Sequence, residues 1–264
     1  MGVVGSTGGG QVNVDVAPLE GLPSSSPLFV HAGIRRLRDR WGLSTAEASA
    51  LLLEKLLERD PDLLFVPSFT YSFTQTGEYS RLRSTSEVGG FSEHVRRSHG
   101  PALRTLDPVF SCIDVLDSGF SRQGINREAF GSGSVWHLWD SLDGLIVNVG
   151  LDDVIATQVH YIESLAQVPY RYSKDFAGRV IDEVTGDTEH VVYSYQVRDL
   201  DEDPRMDFER RRALLERAGV LHTFSWEGVE VVFISARELR SSILEALGDD
   251  PRALLKVSSR WDGA

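Results

Sequence analysis

Thr157, His160 and Glu163 are the residues of this chain best spaced for chemistry. Residues three apart share one face of a helix, with Cβ atoms roughly 5–6 Å apart. A histidine beside a carboxylate suits general-base catalysis, because the carboxylate can fix the imidazole tautomer and stabilise the imidazolium. Thr157 lies one turn earlier on the same face, where its hydroxyl could donate to a developing oxyanion. The plain alternative is a helix-surface histidine with an ordinary carboxylate neighbour.

Other residue clusters say less. His31-Ala32-Gly33, Ser86-Glu87-Val88-Gly89-Gly90 and Gly131-Ser132-Gly133-Ser134 each precede a helical stretch, where backbone N–H groups can bind an anion. Plain turn chemistry is the favoured reading of each. Neither a Walker A pattern nor G-x-G-x-x-G occurs, which argues against a P-loop nucleotidase and a Rossmann dehydrogenase. Cys112 has no local base to activate it and reads as core. The seven histidines are scattered and no third ligand joins His160 and Glu163, so no metal site is expected.

Those side chains need a scaffold. Leu28–His31 and Leu63–Pro67 read as buried strands, separated by helical stretches over 34–41 and 46–57, with Ser44 or Thr45 and Glu47 at the second helix start. Leu145–Gly150 is the clearest parallel-type strand, followed by a helical pattern over Val154–Ala166. Ser68–Tyr79 reads as a loop, and Val135–Leu142 as a helix carrying Trp136 and Trp139 into the core. Val191–Val197 reads as a half-exposed strand and Asp199–Asp203 as an acidic loop. Phe208–Ala218 reads as a charged helix, Val220–Trp226 and Val229–Ile234 as a hairpin turning at Glu227-Gly228, and Ala236–Leu247 as a last helix. Strands alternating with helices define an α/β chain. Residues 1–27, rich in Gly and Ser, read as a flexible tail too polar for a signal peptide, and 28–264 as one domain.

The charge balance narrows the partners. With 27 Lys+Arg against 39 Asp+Glu, the net charge of -12 would be repelled by nucleic acid and anionic membranes. One cysteine excludes an internal disulfide, and no apolar run approaches the roughly 20 residues needed to span a bilayer. A cytoplasmic enzyme is the expectation, with the oligomeric state, a homodimer included, left open.

LFVHAGI (28–34), FVPSFTYSF (65–73), SEVGGFSEHVRR (86–97), FGSGS (130–134), LDGLIVNVGLD (142–152) and TQVHYIESLAQVPYR (157–171) occur in this order. Together they resemble the aminoglycoside 3-N-acetyltransferase family. That resemblance implies a three-layer α/β/α fold around a mixed sheet. It also implies acetyl-CoA or another acyl-CoA as co-substrate and direct acyl transfer to the amine of a sugar. It places His160, Glu163 and Thr157 on the catalytic helix. Acyl-CoA contacts are expected from His31, Ala32, Gly33, Ser68, Ser111, Gly133 and Ser134, and acceptor contacts from Tyr71, Asp107, Arg171 and Lys174. Where antibiotic-modifying members usually show His-Pro-Thr-His-Ser, this chain has Asp107-Pro108-Val109-Phe110-Ser111. With Arg171 and Lys174 available to an anionic group, the expected acceptor is a nucleotide-linked amino sugar, with an aminoglycoside antibiotic as the alternative. A family-derived binding protein without turnover is the third reading.

Overall fold

The structure, a computed structural model, describes residues 15–202 and 205–256. Of the expected tail, residues 1–14 lie outside the described residues. Val16, Leu19 and Leu22 are buried, so packing begins before Pro27.

Three strands rich in branched and aromatic residues make the centre of the main sheet: β1 (Pro27–Ala32), β2 (Leu63–Pro67) and β5 (Leu145–Val149). β1 lies between the other two and is parallel to both. The short β4 (Cys112–Asp114) adds antiparallel to β2. A hairpin, β8 (His222–Trp226) and β9 (Val229–Ser235), adds antiparallel to β5. The sheet is therefore mixed, in the order β4-β2-β1-β5-β9-β8. Glu227 and Gly228 both take positive φ (49° and 72°), the backbone twist a two-residue hairpin turn requires.

Strand alternation sorts the side chains into two cores. Leu28 and Val30 of β1 face one way, with Leu64, Val66, Val147 and Val149. They pack under α1 (Ile34–Trp41), α2 (Thr45–Leu57) and α4 (Gly90–His99). Ser44 caps α2 in a reciprocal box with Glu47. Phe29, Phe65, Ile146 and Ile234 face the other way, under α5 (Val135–Leu142), α6 (Gln158–Ala166) and α8 (Ala236–Asp249). Trp136 and Trp139 belong to this second core, as expected. The result is three layers, helices on both faces of a mixed sheet.

A second sheet was not legible in the sequence. β3 (Glu78–Ser80) pairs parallel with β6 (Arg171–Asp182), which pairs antiparallel with β7 (Asp187–Arg198) along its whole length, from Arg171 opposite Arg198 to Asp182 opposite Asp187. The expected strand at 191–197 is the last two-thirds of β7. A short helix, α3 (Phe73–Thr76), and β3 occupy the stretch expected to be a loop. The charged helix is α7 (Phe208–Arg217).

The candidate active site

Asn148 ties down the loop from β5 to α6. The Asn148 amide donates to the Ile155 carbonyl (3.0 Å) and accepts from the Ile155 amide (2.7 Å). Helix α6 therefore starts at Gln158, not at Val154, and Thr157 stands at its N-terminus with no side-chain capping bond. His160 in the first turn and Glu163 in the second share one face, as the three-residue spacing requires.

Glu163 is fully buried and its carboxylate is crowded with donors. Oε1 accepts from the Tyr170 hydroxyl at 2.8 Å. Oε2 lies 2.7 Å from His160 Nδ1 and 2.7 Å from Arg171 Nε. Burial alone would push the Glu163 carboxyl up, but the contacts with His160, Arg171 and Tyr170 more than offset it. The group sits below the usual carboxylate range and is ionised at neutral pH.

His160 is the exposed member of this cluster, with 26% of its side chain accessible. Nδ1 is approached by Glu163 Oε2 at 2.7 Å and by Arg171 Nη2 at 2.8 Å; a protonated Nδ1 donates to the first, and a bare Nδ1 accepts from the second. With the proton on Nδ1 and directed at the Glu163 carboxylate, Nε2 is the basic nitrogen. Burial lowers the imidazole pKa, Glu163 raises it, Arg171 and Arg211 lower it, and the net position is below the ordinary value. At neutral pH the ring is uncharged and able to accept a proton.

His160 lines a cleft of about 670 Å³ with Tyr71, Tyr195 and residues of β6, β7 and the segment before α7. Lys174 and Arg198 bring positive charge to its wall, and Asp199 and Asp201 bring negative charge. On the far side of Tyr71 lies a smaller cavity of about 120 Å³, lined by His31, Ala32, Phe69, Ile155 and Thr157. Tyr71 borders both, so Thr157 and His160, one helical turn apart, open onto two adjoining spaces.

The other expected contacts divide sharply. His31 and Ala32 face the small cavity. Burial holds His31 at about 4, so its ring is neutral, and Nε2 has no hydrogen-bond partner among the described residues. Gly33 does not offer its amide outward: that N–H donates to Val149 at 2.8 Å. A Cβ there would meet the Gly150 carbonyl at 2.5 Å, so strand contact is the reason for the glycine. Ser134 is a helix cap, accepting from the His137 amide and donating to the Gly131 carbonyl. Gly133 lies on the exposed surface, away from both spaces. Ser68 and Ser111 are fully buried, bonded to each other and to the guanidinium of Arg104.

Of the expected acceptor contacts, Asp107 is turned inward and Arg171 stands in the cleft wall already paired with Glu163. Asp107 accepts from the amides of Val109 and Phe110, the Asn126 amide and the Tyr193 hydroxyl, which leaves its carboxylate no role in the cleft. Arg171 has 3% of its side chain accessible and is committed to Glu163. Tyr71 and Lys174 do line the cleft. Phe110, in place of the family's usual histidine, stacks edge-on with Phe69, Tyr71, Trp136 and Tyr195. Cys112 is buried, and burial pushes its thiol well up, so it is not a nucleophile. No group of three metal-ligating side chains is found among the described residues.

Tyr170, Arg211 and Tyr195 were not singled out in the sequence. Arg211 is 3% exposed, shares a helix face with Leu215, and donates to the Val154 carbonyl at the base of the dyad's loop. That i, i+4 spacing with a leucine was the available signal. Tyr170 follows the helix in an irregular turn and carries no periodic signal.

The chain is a three-layer α/β protein in which a histidine–glutamate pair stands at the wall of a cleft. The family model for aminoglycoside 3-N-acetyltransferases matches residues 29–247, and the chain belongs to that family. No sequence match is found among functionally curated proteins. The fold is similar to that of aminoglycoside acetyltransferase AAC(3)-IVa, at 19% identity, TM-score 0.67, covering 90% of this chain and 87% of that one. It is also similar to AAC-IIIb solved with CoASH, at 16% identity, TM-score 0.67, covering 90% and 94%. A third is AAC-VIa bound to sisomicin, at 17% identity, TM-score 0.66, covering 87% and 93%. Among the described residues no helix is long and apolar enough to cross a membrane.

Proposed function

We propose that this N-acyltransferase moves an acetyl group from acetyl-CoA to an amine of an amino sugar, with His160 as general base. The observation that carries the reading is the His160 ring, held at 2.7 Å by an ionised, buried Glu163 and partly exposed in the wall of the cleft. The acceptor amine attacks the thioester carbonyl, a C–N bond forms, and the C–S bond breaks. His160 Nε2 takes the amine's proton during attack and returns a proton to the departing thiolate. Thr157, at the start of α6 on the wall of the adjoining small cavity, is the residue we assign to donate its hydroxyl to the carbonyl oxygen as that oxygen gains charge. His31 and Ala32, on the wall of the small cavity beside Thr157, are the strand-end residues we assign to the acyl-CoA side.

The acceptor we favour is a polycationic aminoglycoside. Asp199 and Asp201 supply carboxylates to the cleft, and Arg171, the strongest argument for an anionic acceptor, is withdrawn by Glu163. Lys174 and Arg198 support a second reading, a nucleotide-linked amino sugar. Thiol release from acetyl-CoA, measured with sisomicin and with a nucleotide-linked amino sugar, separates them. Release with sisomicin supports the first reading, and release only with the nucleotide sugar supports the second. Absence of thiol with every amine, alongside tight CoA binding, would make the chain a binding protein and end the catalytic reading.

A further inference from the structure

A carboxylate hydrogen-bonded to a histidine ordinarily raises that histidine's pKa, which works against its use as a base at neutral pH. Here the carboxylate is shared. Arg171 places Nε 2.7 Å from Glu163 Oε2, the same oxygen that accepts from His160, and Nη2 2.8 Å from His160 Nδ1. Nη1 donates to the Gln196 carbonyl at 3.1 Å, which anchors the guanidinium across the β6–β7 pair. A guanidinium has no lone pair and cannot lose its proton in this range, so the charge behind the dyad is permanent.

We propose that Arg171 is a positioning residue for the reaction: it claims the charge of Glu163, so that Glu163 orients His160 without holding it protonated. This rests on His160 being the base of the acyl transfer proposed above. A cation 2.8 Å from Nδ1 disfavours a second positive charge on the ring, while the carboxylate 2.7 Å away fixes the ring's orientation. Geometry and charge act in the same direction, and the low position of the His160 pKa agrees with both.

Other groups also face His160. Glu163 is on its own helix, and Tyr170 and Arg171 come from the start of the β6 arm. Arg211 comes from α7 and adds a second buried cation that lowers the pKa. Across the cleft stand Tyr71, Lys174, Tyr195 and Arg198. Asp199 and Asp201 complete it on the acidic side. Of these only Arg171 touches both members of the dyad.

The test is the pH dependence of kcat/KM for wild type, Arg171→Gln and Arg171→Lys, with histidine ring ¹⁵N titration of the same proteins and His160→Gln to assign the signal. With Arg171→Gln the acid limb and the His160 titration should both move up by about one pH unit. Arg171→Lys keeps the charge and loses the planar fork, so the limb should stay near wild type while kcat falls. If the limb and the ring titration are unmoved in Arg171→Gln while activity drops, Arg171 is only structural and the inference fails. If Arg171→Gln does not fold, an Arg171→Lys limb shifted upward by a full unit would overturn it, and an unmoved limb supports it. If wild type turns over no amine, the function proposed above fails instead, and the ring titration still decides the role of Arg171.

Discussion

His31 is buried and His160 is partly exposed, and the two histidines of one scaffold behave differently. His31 stands opposite Asn148 in the β1–β5 register, and Asn148 holds the loop that delivers His160. His31 has no carboxylate acting on it among the described residues, and burial drives it to about 4. His160 has Glu163 at 2.7 Å, and its ring reaches a cleft of about 670 Å³. Burial by itself makes a histidine inert, a neutral polar patch in a wall. A carboxylate that fixes one nitrogen, with the other left open, makes it a base.

That contrast can be broken at three places. Glu163→Gln replaces the acceptor at Nδ1 with an amide that can donate, which favours the wrong tautomer and should lower kcat by about 10²–10⁴-fold. Steady-state thiol release checks it, and a variant within threefold (~0.6 kcal/mol) of wild type would mean that Glu163 does not control the ring. Thr157→Val removes the hydroxyl and keeps the shape, and should lower kcat by roughly 10²–10³-fold with KM for acetyl-CoA little changed. A rise in KM alone would place Thr157 in binding and not in the transition state. The smallest effect is on stability. His31 has its folded value at about 4 against an ordinary 6.5, so the unfolded chain takes up a proton first as pH falls. Its contribution is full above pH 6.5 and is lost towards pH 4, by about 3 kcal/mol in all. Denaturant unfolding of His31→Gln across that range should show a flatter acid decline than wild type. An unchanged slope would mean the His31 ring is charged in the folded protein.

The parts of the molecule legible in the sequence were those with strong local periodicity. β1, β2 and β5 are unbroken apolar runs, and Ser44 with Glu47 announces α2. The dyad was legible for the same reason, since a three-residue spacing in an apolar helix fixes a shared face. β6 was not, because most of its Arg171–Ala177 half is exposed and its polar side chains carry no alternation. Arg171 and Lys174 looked alike in that stretch, two cations free for an acceptor. Only the fold separates them, sending Arg171 to Glu163 and leaving Lys174 beside the Phe176 ring in the cleft wall. Asp107 was misjudged similarly: its four donors come from two nearby amides, Asn126 and the distant Tyr193. Gly33 and Ser134 resembled phosphate-loop residues, but strand contact and helix capping use them fully.

The most direct test of the account compares turnover of His160→Ala with that of His31→Gln, at saturating acetyl-CoA and amine, with folding checked by circular dichroism. His160→Ala should lose about 10²–10⁴-fold in kcat, the usual worth of a general base, while His31→Gln stays within about tenfold of wild type. Wild-type turnover by folded His160→Ala would contradict the account, and so would an equal loss in the two variants.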